Sequence, residues 1–169
     1  FATIVANVVF QHGISWDGAC ELTDQLMVSE MTAGPRPEEL IPRGNVKQSL
    51  CRLYDAGFAL TVATTDNRLA TQSALDALQI DYFFSDIRCG DDVGPVKPDV
   101  AVLESIALSQ QCRVDQIVMV GDTVSDLMMA KNAGAKCCVG ILGGAGSEDQ
   151  LNALADFLIE DIGEIQPDV

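Results

Sequence analysis

Basic residues are scarce in this chain, with 10 Lys and Arg against 25 Asp and Glu and a formal net charge of −15. So acidic a protein repels nucleic-acid backbones and anionic membrane surfaces, which excludes both as expected partners. It also repels phosphate, so an anion site here needs its own local cations. Long apolar runs are absent too. The apolar stretch 1–10 is shorter than the roughly 20 residues of a membrane span and predicts a helix of a soluble protein.

The sequence also lacks cysteines at zinc-binding or redox spacing. None of its six cysteines belongs to a C-x-x-C motif, and Cys137 and Cys138 adjoin each other within an apolar run. Buried free thiols in a reducing compartment explain this usage best, so we expect a cytoplasmic protein.

Helical and strand patterns alternate from Gly44 onward. Apolar residues at helical spacing predict helices near 46–54, 70–78, 98–107 and 124–133, and Ser147 with Gln150 predicts a short capped helix. Apolar strands are predicted at 58–63, within 82–87, and at 117–120, 136–141 and 155–159. This alternation indicates an α/β fold, a parallel sheet with helices on both faces whose ligands bind beyond the carboxyl ends of the strands.

Residues 1–38 follow a purely helical pattern that ends in a linker-like stretch, Ala-Gly-Pro-Arg-Pro at 33–37. We therefore divide the chain into a helical piece at 1–38 and an α/β core at 39–169.

Polar clusters fall at the carboxyl edge of this predicted sheet, and the first is Thr64-Thr65, directly after strand 58–63. Hydroxyl groups and the backbone N–H groups of a strand-to-helix turn can donate hydrogen bonds to phosphate. The alternative is that one of these threonines only caps the helix that begins near Asp66.

The second cluster is Lys97-Pro98. Pro98 suits the first turn of a helix, which would place Lys97 at the sheet edge near the positive end of that helix. A cation there suits an anionic ligand; the alternative is an ordinary exposed lysine.

The third cluster follows strand 117–120, where Gly121-Asp122 opens a turn and Asp126 lies one helical turn further on. Two carboxylates in such a loop suit Mg²⁺, which takes one or two carboxylates together with waters and phosphate oxygens. Thr123 and Asp126 also fit a capping box, which accounts for Asp126 but leaves Asp122 unexplained.

In this order, a Thr after a strand, a Lys beside a helix-starting Pro, and a strand ending in G-D-x-x-x-D resemble motifs two, three and four of the haloacid dehalogenase (HAD) superfamily. The resemblance runs over about residues 41–141, and within the superfamily the chain is similar to phosphoglycolate-phosphatase-like members. It implies a Rossmannoid parallel sheet with helices on both faces, a partial helical cap at 1–38, and an Mg²⁺-dependent phosphatase acting on a small phosphorylated metabolite.

The resemblance also implies roles for individual residues. Thr64 would hold the transferring phosphoryl group, with Thr65 beside it, and Lys97 would neutralise the nucleophile and the phosphate. Asp122 would bind Mg²⁺, and Asp126 would support either the metal or Lys97.

The family's nucleophile is an Asp in a D-x-D motif on the first strand, and no D-x-D precedes Thr64 in this sequence. The preferred interpretation is a truncated core that lacks its first strand and the start of its cap, partly because the chain begins at Phe1. The alternative is an inactive pseudo-phosphatase, a regulatory module that binds phosphate and metal. A receiver-type signalling domain is less favoured, because its acidic cluster belongs at the start of the sheet.

Overall fold

The structure, a computed structural model, describes residues 40–167. The helical piece predicted at 1–38 lies outside these residues, and its assignment as a cap stays a prediction. Helices and strands alternate along the described chain in the order α1 (Val46–Asp55), β1 (Leu60–Ala63), α2 (Arg68–Leu78), β2 (Phe84–Arg88), α3 (Ala101–Ser109), β3 (Val118–Gly121), α4 (Val124–Ala133), β4 (Cys137–Ile141), α5 (Glu148–Asn152) and β5 (Phe157–Ile159). Single-turn 3₁₀ helices occupy Asp81–Phe83, Val114–Gln116 and Ile162–Glu164.

All strand pairs of the described residues are parallel, which confirms the predicted α/β class. The strands form two separate sheets, a pair β1-β2 and a triplet in the order β3-β4-β5. Thr61 lies opposite Asp86 in the first sheet, and Val120 lies opposite Val139 in the second. The sequence pattern predicted one sheet, whereas β1 and β3 each have a hydrogen-bonded neighbour on one side only among the described strands.

Two hydrophobic clusters form the core of the described region. The larger lies around α3, α4 and the β3-β4 pair, and the side chains of Leu127, Met129 and Leu151 are fully buried there. The smaller contains Leu50 of α1 and Leu75 of α2. Ala63, the last residue of β1, packs against the larger cluster and so ties the two-stranded sheet to it.

The helix predicted to start at Pro98 begins later than expected. Its first residue is Ala101, while Lys97 and Pro98 form a turn joined by a cis peptide bond. Ala101 donates its backbone N–H to Asp99 Oδ1 at 2.9 Å, which satisfies one of the free donors at the helix start. Lys97 therefore lies in the loop before α3, and the prediction that Pro98 occupies the first helical turn is wrong.

The five cysteines of the described region are free, in agreement with the predicted thiols. Burial, together with the nearby Asp156, raises the pKa of Cys137 and of Cys138, which keeps these thiols protonated and inert. Cys51 differs from the prediction, because it is exposed on α1. No helix between residues 40 and 167 has the length and apolar character needed to cross a bilayer.

The loop after β2, which carries Lys97, is fastened to the start of α2 by an ion pair. Arg68 Nη2 lies 2.6 Å from Asp92 Oδ2 and also donates to the carbonyl of Ile87 at 2.8 Å. The backbone N–H of Cys89 donates to the same carboxylate at 2.8 Å. The Arg68 guanidinium and the Cys89 N–H together hold the pKa of Asp92 below its ordinary value of 3.8.

This lowered pKa predicts how acid affects Asp92→Asn. The native carboxylate stabilises the fold fully above pH 3.8, and that contribution disappears as the pH falls through its lower folded-state pKa. Because the Arg68 side chain is 48% exposed, we expect a loss of less than about 1 kcal/mol in unfolding free energy at neutral pH. Urea unfolding at a series of pH values should show a smaller acid-induced loss in the variant; identical pH dependence in both proteins would contradict this.

Candidate active site

The predicted site residues lie at the carboxyl ends of the parallel strands. Thr64 follows β1, Lys97 lies in the loop after β2, and Asp122 follows β3 directly. A glycine-rich loop at 143–146, after β4, reaches the same edge and contacts Asp122. This is the edge at which open α/β sheets bind ligands.

Lys97 and Asp126 form a buried ion pair. Lys97 Nζ donates to Asp126 Oδ1 at 2.6 Å, and the two side chains are only 10% and 5% exposed. The alternative of an ordinary exposed lysine is therefore wrong. A lysine ammonium carries three N–H donors, and Asp126 accepts one of them. The pairing fixes the Lys97 ammonium beside the start of α4 and leaves further donors for a ligand.

Asp126 also caps the helix on which it sits. Its Oδ2 accepts hydrogen bonds from Thr123 N at 3.2 Å and from Thr123 Oγ1 at 2.7 Å, and its own N–H donates to Thr123 Oγ1 at 3.1 Å. A side chain at Gly121 would not fit, because an added Cβ would lie 2.6 Å from the Cβ of Asp126. Both carboxylate oxygens of Asp126 are thus engaged, so the geometry favours support of Lys97 over ligation of a metal.

Asp122 has a different environment, because the loop at 143–146 holds only one of its two oxygens. Ala145 N donates to Asp122 Oδ2 at 2.9 Å, and Gly146 N donates to the Asp122 backbone carbonyl at 2.8 Å. Gly144 passes so close that an added Cβ would overlap the carboxylate. No donor among residues 40–167 hydrogen-bonds to Asp122 Oδ1, which makes this oxygen the one available to a ligand.

The available oxygen of Asp122 fits a magnesium ion held by a single carboxylate. Mg²⁺ binds through one or two carboxylates and completes its shell with waters and phosphate oxygens. Within the described part of the chain, no group of three or more His, Cys, Asp or Glu side chains could form a cage for a metal. The described residues can therefore offer such an ion one ligand, Asp122 Oδ1.

Thr64 is engaged within its own turn. Its Oγ1 donates to Asp66 Oδ2 at 3.1 Å and accepts the N–H of Asp66 at 3.0 Å. The cap of α2 is Asn67, whose side chain accepts from Ala70 N, so the alternative that a threonine caps this helix is wrong. Thr65 is exposed beside Thr64. No hydrogen bond in the described region joins Thr64 to Lys97 or Asp122, so its phosphate-binding role stays a prediction.

Sequence reasoning missed the residues that surround Asp122. Ala145 is 23 residues away in the chain, and only the fold brings its N–H to the carboxylate. The available signal was the run Gly-Gly-Ala-Gly at 143–146 directly after a buried strand. Such a run indicates that the backbone must approach another group closely.

A family model described as haloacid dehalogenase-like hydrolase matches residues 21–139. The chain belongs to this family. It is similar to a phosphoglycolate phosphatase of Vibrio cholerae, with 36% identity over 72% of this chain and 54% of the relative. It is also similar to the pyrophosphatase PpaX of Halalkalibacterium halodurans, with 34% identity over 58% of this chain and 46% of that protein.

A solved structure, described as a predicted phosphoglycolate phosphatase from Haemophilus somnus, superposes with a TM-score of 0.69. It is 25% identical, and the match covers 88% of this chain and 64% of that one. This match supports the predicted HAD-like arrangement of strands and helices. The chain spans about half the length of the curated relatives it matches.

The buried pair predicts a large loss of stability in Asp126→Asn. Removing the charge of Asp126 leaves the Lys97 ammonium buried without its counter-ion, which costs about 3–5 kcal/mol of unfolding free energy. The matched control is Asp115→Asn, in an ion pair whose side chains are 75% and 60% exposed. We expect that control to lose far less stability by urea denaturation, because water screens the exposed pair. Similar losses in the two variants would contradict a structural role for the buried pair.

Proposed function

We propose that this protein is an Mg²⁺-dependent phosphatase of small phosphorylated metabolites, of the phosphoglycolate-phosphatase type. The observation that carries the proposal is the pairing of Lys97 with Asp126 at 2.6 Å next to Asp122, whose Oδ1 accepts no hydrogen bond from the described residues. A fixed ammonium and a free carboxylate oxygen at the carboxyl ends of the strands are the two features that a phosphate and a magnesium ion require. The phosphoglycolate phosphatase of Vibrio cholerae supports the substrate class by similarity.

In this proposal each residue performs a separate task. Asp126 holds Lys97 Nζ in place, and Lys97 directs its free N–H donors at phosphate oxygens. Thr64, with Thr65, donates to another phosphate oxygen once its hydroxyl turns away from Asp66 Oδ2. Asp122 Oδ1 would hold Mg²⁺, which when bound neutralises phosphate charge. Fixed donors of this kind supply the positioning and charge stabilisation on which phosphoryl transfer depends.

We also propose that the protein works in a reducing compartment such as the cytoplasm. Its support is the set of five described cysteines, all of them free.

A second candidate is a binding module that holds phosphate and metal without turnover. The observation in its favour is that no D-x-D precedes Thr64 in the sequence. Because the nucleophile that the family resemblance implies is an Asp of that motif, binding and hydrolysis have to be tested separately.

Calorimetry tests the metal site. We expect Asp122→Asn to weaken Mg²⁺ binding at least about tenfold, the cost of losing an outer-shell partner, because it removes the negative charge of a direct ligand. Asp115→Asn removes the same formal charge at an exposed position and should leave the affinity unchanged. Equal Mg²⁺ affinity in the parent chain and in Asp122→Asn would exclude Asp122 as the ligand.

Hydrolysis tests the nucleophile. We expect the 169-residue chain to show no turnover of a generic aryl phosphate in the presence of Mg²⁺, because its sequence contains no D-x-D before Thr64. Product release can be followed by absorbance over several hours. Robust hydrolysis that Asp122→Asn abolishes would show that another group in this chain supplies the nucleophile.

A further inference from the structure

The glycine-rich loop at 143–146 is pressed between two side chains. Gly143 has a φ of +71°, and an added Cβ there would overlap the guanidinium of Arg43. On the other side, an added Cβ at Gly144 would overlap the carboxylate of Asp122. Two consecutive glycines therefore allow Arg43 and Asp122 to lie against neighbouring residues of one short loop.

Hydrogen bonds fasten both ends of this loop. The Arg43 guanidinium donates to the carbonyl of Leu142, at the start of the loop. Ala145 N donates to Asp122 Oδ2 at 2.9 Å, and Gly146 N donates to the Asp122 carbonyl at 2.8 Å. Only two residues separate Leu142 from Ala145, so the position of the Leu142 carbonyl restricts where the Ala145 N–H can point.

The backbone next to Arg43 is itself held in place. Gly44 has a φ of +67° and packs so tightly that an added Cβ would lie 2.7 Å from the carboxylate atoms of Asp161. Asp161 in turn accepts a hydrogen bond from Gly163 N at 2.6 Å. Asn45 then caps α1 by accepting from Gln48 N at 3.2 Å. Arg43 thus extends to the loop from an exposed segment whose backbone is held by the close approach of Gly44 to Asp161 and by the Asn45 cap.

We propose that Arg43 is a positioning residue for Asp122. By fixing the Leu142 carbonyl it aligns the loop, and the Ala145 N–H then fixes Asp122 Oδ2 so that Oδ1 faces the ligand. This inference rests on the proposed metal role of Asp122. It assigns Arg43 no direct contact with metal or substrate, because the connection runs through the loop backbone.

A titration with Mg²⁺ alone, without phosphate, tests this inference. The amide resonances of Ala145 and Gly146 report binding at the loop itself. We expect Arg43→Met to weaken Mg²⁺ binding by up to the roughly tenfold that loss of a direct outer-shell partner costs, and Arg43→Lys to recover part of the loss because it keeps a donor. The direction of the change distinguishes positioning from a charge effect. If Arg43 acted only through its positive charge, its removal would strengthen Mg²⁺ binding.

The matched control is Arg52→Met. Arg52 also donates to backbone carbonyls, those of Gly163 at 2.9 Å and Ile165 at 3.1 Å, but within residues 40–167 it makes no hydrogen bond to Asp122 or to the loop at 143–146. The Arg52→Met substitution should lower the melting temperature and leave the Mg²⁺ affinity unchanged. If Arg52→Met weakened Mg²⁺ binding as much as Arg43→Met, general destabilisation would explain both and the inference would fail.

Further outcomes separate this inference from the proposed function. If Arg43→Met binds Mg²⁺ as tightly as the parent chain or more tightly, while Asp122→Asn still weakens binding, the role of Arg43 is overturned and the proposed function is not. An affinity that Asp122→Asn does not alter would overturn the proposed function and the inference with it. If Arg43→Met does not fold, Gly143→Ala takes its place, because its Cβ displaces the guanidinium, and unchanged binding there would equally overturn the role of Arg43.

Discussion

The arrangement of the site depends on the buried ion pair between Lys97 and Asp126. Charges that leave water are tolerated only when they are paired and hydrogen-bonded, and here one carboxylate serves both Lys97 and Thr123. The pair therefore joins the loop after β2, the turn after β3 and the start of α4. None of these segments can move far without leaving a buried charge unsatisfied, which keeps the edge of the second sheet ordered before any ligand arrives.

Local signals were sufficient to predict the helix that carries Asp126. The capping residues Thr123 and Asp126 and the stop at Gly134 lie within or next to the helix, and α4 has the predicted bounds Val124–Ala133. The start of α3 was misplaced because Pro98 is compatible with a helical first turn and with the turn that precedes one. Lys97 is held by Asp126, 29 residues away, and a contact of that range leaves no periodic pattern in the local sequence.

The difference between local sequence signals and long-range contacts also separates the predicted from the unpredicted parts of the site. Sequence order and the family resemblance named Thr64, Lys97, Asp122 and Asp126 as candidates, and they left metal binding, support of Lys97 and helix capping open for Asp126. The structure shows that capping and lysine support coincide, since each uses a different oxygen of the same carboxylate. The bond from Arg43 to Leu142 spans 99 residues, and the division of the strands into two sheets depends on pairing. Both follow from chain topology, which residue periodicity does not encode.

On the proposed function, the distribution of charge at the carboxyl ends of the strands makes Asp122 more important for phosphate binding than the basic residues. Arg68 is paired with Asp92, Arg88 with Asp86, and Lys97 with Asp126. These side chains offer directed N–H donors, but each already lies beside a carboxylate in a chain with a formal net charge of −15. A phosphate dianion that approaches this edge therefore finds hydrogen-bond donors, but the net electrostatic field there does not attract it. On the proposed function, a divalent cation on Asp122 reverses the local sign, and the loop that orients Asp122 controls phosphate binding through that cation.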